Sequence, residues 1–362
     1  MPNTNPHSIT VEAAVLRRPA SPLQIEQLEM ETPRPDEVLV GVVASGVCHT
    51  DIGFWYSGAG AAVILGHEGA GIVEHVGKSV KGFRRGDHVV LSYQSCGRCR
   101  PCQSGRPVRC ARFGEANFGF ARLDGSNAYG GGVRGHFFGQ SSFATYSLAT
   151  ERNLVKVPKA LPLELLAPLG CGLQTGAGTV LNSLAVRAGS SVAVFGTGSV
   201  GLAAVMAARI AQADPIVAVD MRPKRLALAR ELGATHCLNT FKADWKRRLA
   251  AIGGGGIDYG VETTGNELIE RDAIKLLNPG GRLASLTGGT VPRRLPGRRE
   301  VLSVIQGDAV PQQFIPRMIE LYRSGQFPFD RLVKFYDFRN IDRAIADSMQ
   351  GRTIKPVLRI GR

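Results

Sequence analysis

The sequence predicts an α/β protein in two parts, an irregular β-rich region followed by a doubly wound parallel sheet. Three observations carry this. Strands and helices alternate from about Gly170 onward, the pattern of a parallel sheet covered on both faces. One of those strands runs straight into the glycine loop GTGSVG and then into a helix. Finally, 362 residues, 44% of them hydrophobic, are too many for one ordinary core and suggest about two.

Taken in order, the N-terminus MPNTNPHSITVEAAVLRRP is polar and broken by prolines. It lacks the basic-then-apolar run of a secretory signal, and no long uncharged apolar stretch follows anywhere. A soluble, cytoplasmic chain with reduced thiols is expected, with no membrane partner. Charged residues at 20% argue against disorder. Glu37–Val47, Ala70–Gly77 and His88–Tyr93 are short apolar runs cut by Gly, Pro and Asp turns, and each reads as a strand.

From GLQTGAGTVLNSLAV, read as one helix, the pattern changes. Ser191–Gly196 and Ile216–Asp220 read as buried strands, and Val200–Ala213 as the apolar helix between them. PKRLALARELGA is an amphipathic helix stopping at Gly233, and Ile257–Gly265 and Gly280–Gly289 each hold one more strand. After about Gly307 come a helix, IPRMIELYRSG, and a last strand, KPVLRI.

Within GTGSVG, Gly196, Gly198 and Gly201 match the dinucleotide fingerprint in its required strand–loop–helix context. The first glycine permits the tight turn, the second lets backbone approach a pyrophosphate, and the third lets helix pack on strand. Asp220 follows Gly201 by 19 residues and closes the next strand, where a carboxylate accepts from an adenosine ribose. That favours NAD over NADP, with Arg222 and Arg225 nearby as opposing charges. Gly196, Gly198, Val200, Gly201, Asp220 and Arg225 are therefore the expected cofactor contacts.

Four of the 7 cysteines, Cys96, Cys99, Cys102 and Cys110, lie within CGRCRPCQSGRPVRC. Disulfides do not suit a reducing compartment, and a redox pair needs only two cysteines. The spacing departs from a bacterial iron–sulfur motif, in which the last cysteine follows three residues and precedes proline. Here it follows seven and precedes Ala111. A closed four-thiolate zinc site, structural in role, is the reading. Cys48 in GVCHTD, His67 in GHEGAG and Cys171 in LGCGLQTG form a second group. Two cysteines, one histidine and an open fourth position make a catalytic zinc site. Cys237 reads as an ordinary buried thiol.

On CHTD, GHEGAG, the four-cysteine lobe and GTGSVG with Asp220, the chain resembles the zinc-dependent medium-chain alcohol dehydrogenases over essentially its whole length. Phe137–Gly178 and Gly325–Tyr336 resemble the aryl-alcohol (benzyl alcohol) dehydrogenase branch, related to enzymes of allylic alcohols such as geraniol. The resemblance implies a GroES-like catalytic domain over residues 1–173 with its zinc lobe at 94–112. It further implies a Rossmann NAD-binding domain at 174–308, a C-terminal return at 309–362, and an active site in the cleft. It implies NAD and two zinc ions per chain, and a homodimer or homotetramer. Cys48, His67 and Cys171 would hold the catalytic zinc with Glu68 behind it. Asp51 would fix a ligand histidine's tautomer, and Thr50 would take the alcohol proton. His49 and Lys355 would meet the pyrophosphate, Thr175 would lie by the nicotinamide, and Trp55 would line the substrate pocket. Gly53 stands where several relatives carry the histidine that ends a proton relay, so the relay here ends in a ribose hydroxyl and water or in another base such as His49.

The expected reaction is reversible, zinc-assisted hydride transfer from an aryl or allylic primary alcohol to NAD. A dehydrogenase of S-hydroxymethyl thiol adducts shares both zinc motifs and is the alternative. The net charge of +14 raises a nucleic-acid partner. The arginines are dispersed, however, and that reading leaves Cys48, His67, Cys171 and the glycine loop without a role.

Overall fold

Glycine and proline punctuation decides where the strands of the N-terminal half end, and the computed structural model, which describes residues 8–286 and 293–361, shows the result. The N-terminal leader lies partly outside the described residues, as do the last residues of the Gly280–Gly289 segment. Two compact units are present. The first takes the chain to Cys171, Val310–Pro316, and the chain from Asp330 on; the second takes Gly172–Ala309 and Arg317–Phe329.

The first unit is built on two sheets. One is four-stranded, in the order Gln24–Glu31, Ser8–Leu16, Ala62–Ile64, Val133–Arg134. The other runs Val333–Asp337, Lys355–Arg359, Glu37–Gly46, Glu68–Val76, His88–Leu91, Leu154–Lys156, with Tyr146–Thr150 also pairing to Glu37–Gly46. Its pairings are antiparallel except that of Val333–Asp337 with Lys355–Arg359. Strand Ser8–Leu16 is buried on both faces over its last four residues and places Val11, Ala13, Ala14, Val15 and Leu16 in a core with Leu65, Phe137 and Phe143. A second, smaller core gathers Val38, Val40, Val73, Val89 and Leu154.

The second unit carries the sheet order 236–239, 216–220, 192–195, 257–262, 277–285, 299–303, 293–295. All pairings are parallel until the last strand, which is antiparallel. Its six parallel strands follow the 3-2-1-4-5-6 order of a dinucleotide-binding sheet, with 293–295 added at the edge. Its central strand Val192–Phe195 is fully buried, which explains why it reads as a continuous apolar run. Burying Phe195 alone is worth ~2 kcal/mol. The segment read as one helix after Cys171 divides in two. An α-helix, Gly172–Gly178, gives way to a π-helical turn, Thr179–Ser183. Asn182 Nδ2 donates to the Gly307 carbonyl (3.2 Å) and Ser183 Oγ to Asp308 Oδ2 (2.7 Å). These bonds hold the turn wide, a tertiary effect that local periodicity does not encode.

Candidate active site and metal centres

Cys48 ends the run after strand Glu37–Gly46 and caps helix His49–Ser57. His67 follows Gly66, whose φ of 89° turns the chain just before strand Glu68–Val76. Cys171 directly precedes helix Gly172–Gly178. The fold brings these three, with Glu68, together: one ligand atom from each lies within 4.8 Å of every other.

Asp51 ties the group. Its Oδ2 accepts from the Cys48 N–H (2.9 Å), and its Oδ1 accepts from the Gly66 N–H (3.0 Å) and lies 2.8 Å from His67 Nδ1. A proton on Nδ1 leaves the Nε2 lone pair free, and Nε2 is buried without a hydrogen-bond partner. An orphaned ring nitrogen facing two thiols and a carboxylate is a donor set that fits zinc. Gln140 braces the loop, donating from Nε2 to the carbonyls of His67 (3.0 Å) and Ser92 (3.1 Å) and accepting from Gly69 N–H (3.1 Å).

Electrostatics follow from burial and pairing. The Cys48 thiol is held well below its ordinary range by hydrogen bonding with Cys171, with His67 and Lys355 adding to this against burial. Burial lowers His67, but the charges of Asp51 and Cys48 outweigh it and raise it to about 10, so a metal at Nε2 would take the place of a proton there. Burial pushes Glu68 up to about 7, although Lys355 opposes this. Lys355 is 1% exposed; its Nζ lies 2.9 Å from both Glu68 oxygens and donates to Val47 O (3.3 Å). This lysine, expected at a pyrophosphate, thus has its ammonium engaged by Glu68.

Of the remaining expected residues, Thr50 is half-buried with Oγ1 4.0 Å from Cys48 Sγ, and His49 is exposed on the first turn of the same helix. Trp55 donates from Nε1 to the Ser21 carbonyl (2.8 Å) and packs on the first unit's core. The rings beside His67 are instead Phe138, stacked at 4.3 Å, and Phe137, edge-on at 5.4 Å. Sequence reading missed these two, together with Phe54, Phe118 and Phe120, which pack against them. The signal was three phenylalanine-rich stretches, GFW, NFGF and HFFG, whose convergence only the fold supplies.

The four-cysteine lobe is assembled locally. Its four sulfurs lie within 4.8 Å of one another, with Cys99 Sγ 3.4 Å from Cys102 Sγ and 3.9 Å from Cys110 Sγ. Backbone N–H groups of Cys96 and Arg112 donate to Cys110 Sγ and that of Ala111 to Cys99 Sγ. Those of Ala111 and Cys102 bring Cys99 down to about 6, while burial raises Cys110 to about 12. Cys99 is thus disposed as a thiolate with three further sulfurs beside it, which fits a metal and not a disulfide.

In the second unit, Gly196 takes φ 87° at the loop's turn, and a Cβ on Gly201 would collide with the Gly196 carbonyl. Asp220 Oδ2 accepts from Thr197 N and Oγ1 (2.7 Å each), and Oδ1 from Arg222 N (2.8 Å). The carboxylate therefore braces the glycine loop. Gly198 lies at the N-cap and Val200 in the first turn of helix Ser199–Ile210, whose free N–H groups suit phosphate. Arg225 is half-buried near Asp220, lowered by burial, with Nε buried and unpartnered. Thr175 is half-buried on Gly172–Gly178, its carbonyl accepting from Thr179 Oγ1 (2.7 Å).

A family profile for the alcohol dehydrogenase GroES-like domain matches residues 34–159, and one for the zinc-binding dehydrogenase matches residues 199–313. A geraniol dehydrogenase of Castellaniella defragrans is 43% identical over 97% of this chain and 98% of its own. The crystal structure of benzyl alcohol dehydrogenase from Acinetobacter calcoaceticus superposes with a TM-score of 0.94 at 42% identity, covering 98% of this chain and all of that one. An S-(hydroxymethyl)glutathione dehydrogenase of Escherichia coli is 35% identical over 96% of this chain and 99% of its own.

Proposed function

The chain belongs to the zinc-dependent medium-chain alcohol dehydrogenases, and on that premise we propose that it oxidises aryl or allylic primary alcohols to aldehydes with NAD, reversibly. The observation that carries this reading is the set of phenylalanine rings packed around His67, the central ligand of the buried cluster. Flat, π-rich hydrocarbon gains most beside such a cluster, whose Phe54 and Phe118 rings keep free surface. The likeness to a geraniol and a benzyl alcohol dehydrogenase supports it.

In this reading Cys48, His67 and Cys171 hold the catalytic zinc, with Glu68 behind it, and Cys96, Cys99, Cys102 and Cys110 hold a structural one. Bound zinc supplies Lewis acidity toward the alcohol oxygen, and bound NAD accepts the hydride. The chain's own residues do the rest. Asp51 fixes His67 with its proton on Nδ1. The Thr50 hydroxyl receives the alcohol proton, and with no side chain at Gly53 the proton leaves through ribose, water or His49. Gly196, Gly198, Val200 and Gly201 seat the pyrophosphate, with Asp220 and Arg225 at the ribose and Thr175 beside the nicotinamide. Lys355 supports this by holding Glu68 rather than by reaching out. Trp55 stiffens the helix that carries Thr50. The first unit is the catalytic domain and the second the NAD domain of a cytoplasmic homodimer or homotetramer. Among the described residues no helix is long and apolar enough to cross a membrane.

The test is NADH formation from benzyl alcohol, geraniol, ethanol and an S-hydroxymethyl thiol adduct. The expected kcat/KM for the first two exceeds that for ethanol at least about tenfold, in line with hydrophobic pocket discrimination. Preference for the thiol adduct moves the chain to the formaldehyde-type reading, and preference for ethanol removes the aromatic-pocket argument.

A further inference from the structure

We propose that Phe118 determines which alcohols this site prefers, by presenting its ring to the hydrocarbon part of the substrate. The inference rests on the alcohol dehydrogenase reading above and deepens it to a single residue.

Phe120, Phe137 and Phe138 are 4%, 0% and 3% exposed and are consumed by packing. Phe118 is 37% exposed, yet it belongs to the same cluster. Its ring stands edge-on to Phe138 at 5.2 Å and stacks on Phe54 at 5.7 Å and 20°. Phe138 in turn stacks on His67 at 4.3 Å and 22°. A continuous run of rings therefore leads from the ligand histidine to one solvent-facing phenyl group. Large apolar side chains this exposed are few among the described residues, and Phe118 alone of them makes ring contact with the surround of His67.

The ring is also held outward. Phe118 ends helix Phe113–Phe118, and the preceding Asn117 is fully buried. Asn117 accepts from Gln94 N–H (2.8 Å) and donates to the carbonyls of Gln94 (3.0 Å) and Phe113 (2.8 Å). Beyond it, Phe120 takes φ 50°, left-handed backbone that a bulky residue adopts only when its surroundings require it. The helix end is anchored on both sides of Phe118. A wet aromatic face kept rigid, one ring removed from the ligand histidine, is pre-organised for a flat apolar ligand. Ethanol is too short to use it; a phenyl or allylic chain is not.

The experiment compares wild type with Phe118→Ala and Phe118→Leu, using benzyl alcohol, geraniol and ethanol, with zinc content and melting midpoint read on each protein. Calorimetric binding of benzyl alcohol to the NADH-loaded protein, which cannot oxidise it, supplies a second readout. For Phe118→Ala, kcat/KM for benzyl alcohol and geraniol falls about tenfold, chiefly through KM, and that for ethanol stays within about twofold. Benzyl alcohol binding weakens in parallel, and Phe118→Leu lies between. An equal fall for all three alcohols, or no change for any, overturns the assignment. If Phe118→Ala folds poorly, Phe118→Leu decides by the same ratio. A wild type that turns over all three but prefers ethanol defeats the substrate reading alone, because Phe118 is judged on the variant-to-wild-type ratio. A wild type that turns over no alcohol defeats both.

Discussion

Cys96, Cys99, Cys102 and Cys110 come from fifteen consecutive residues, whereas Cys48, His67 and Cys171 come from three segments spread over residues 48–171. Both sets bring their ligand atoms within the same 4.8 Å. In the lobe, backbone N–H groups of the same loop support the sulfurs. In the dispersed cluster, side chains from elsewhere do so: Asp51 on His67, Lys355 on Glu68, and Gln140 on the backbone of the His67 turn. The lobe offers four sulfurs and no other ligand type, a set that closes around a tetrahedral ion. The dispersed cluster mixes sulfur, an orphaned imidazole nitrogen and a carboxylate already paired with Lys355. In the proposed reading, with Glu68 held by Lys355, such a set leaves a coordination position for substrate. A closed site can be written in one loop, but an open one needs a fold to hold it open.

The largest expected effect separates the two directly. His67→Ala removes the nitrogen donor and should lower kcat/KM at least roughly a thousandfold, since Lewis-acid stabilisation of several kcal/mol converts at 1.36 kcal/mol per decade. Zinc per chain should fall from about two to about one, because the lobe does not share the ligand. Loss of both ions would show that the clusters are coupled.

Asp51→Asn tests the bracing instead of the ligand. Losing the carboxylate from His67 Nδ1 should cost roughly 10–100-fold in activity or zinc affinity, the usual scale for such partners. Equilibrium dialysis against a chelator would read the affinity. An unchanged protein would mean that the Asp51 contacts do not set the tautomer.

Cys99→Ser should do the reverse of His67→Ala. The lobe would lose its metal and about 2–3 kcal/mol, lowering the melting midpoint by roughly 5–10 °C, with kcat per folded chain changed less than about twofold. Collapse of kcat at temperatures where the protein stays folded would contradict the separation.

The smallest effect concerns a histidine in neither cluster. His136 is buried and accepts the Ala128 N–H on Nε2 (3.3 Å). Burial, with the charges of Arg122 and Arg34, holds its pKa at about 3. The unfolded value is about 6.5, so between these the unfolded chain binds the extra proton and stability rises with pH. That contribution is complete above about 6.5 and is lost as pH falls toward 3. His136→Asn, which tolerates the left-handed φ of 63°, should therefore lose up to about 2 kcal/mol less between pH 7 and 5 in chemical denaturation. An identical pH slope would assign acid sensitivity to the metal clusters.

The comparison also explains what could be read without coordinates. The lobe was legible because its information is local spacing, and the glycine loop because strand, turn and helix follow one another in sequence. Cys48, His67 and Cys171 were legible through their glycine-rich surroundings and the family resemblance, but not their approach to one another. The phenylalanines were not legible, since residues 54, 118–120 and 137–138 meet only through packing. Trp55 stood out in sequence as a large ring close to Cys48, yet its N–H is bound to the Ser21 carbonyl. The π-turn at Thr179–Ser183 and the Lys355–Glu68 pair depend on partners more than a hundred residues away, which no periodicity records.

The most direct test is anomalous diffraction at the zinc edge from crystals of the wild-type protein. The account predicts two peaks per chain, one inside Cys96, Cys99, Cys102 and Cys110, and one bonded to Cys48, His67 and Cys171 with a position left for solvent or alcohol. A single peak in the lobe, or a second ion fully enclosed by protein ligands, would contradict it.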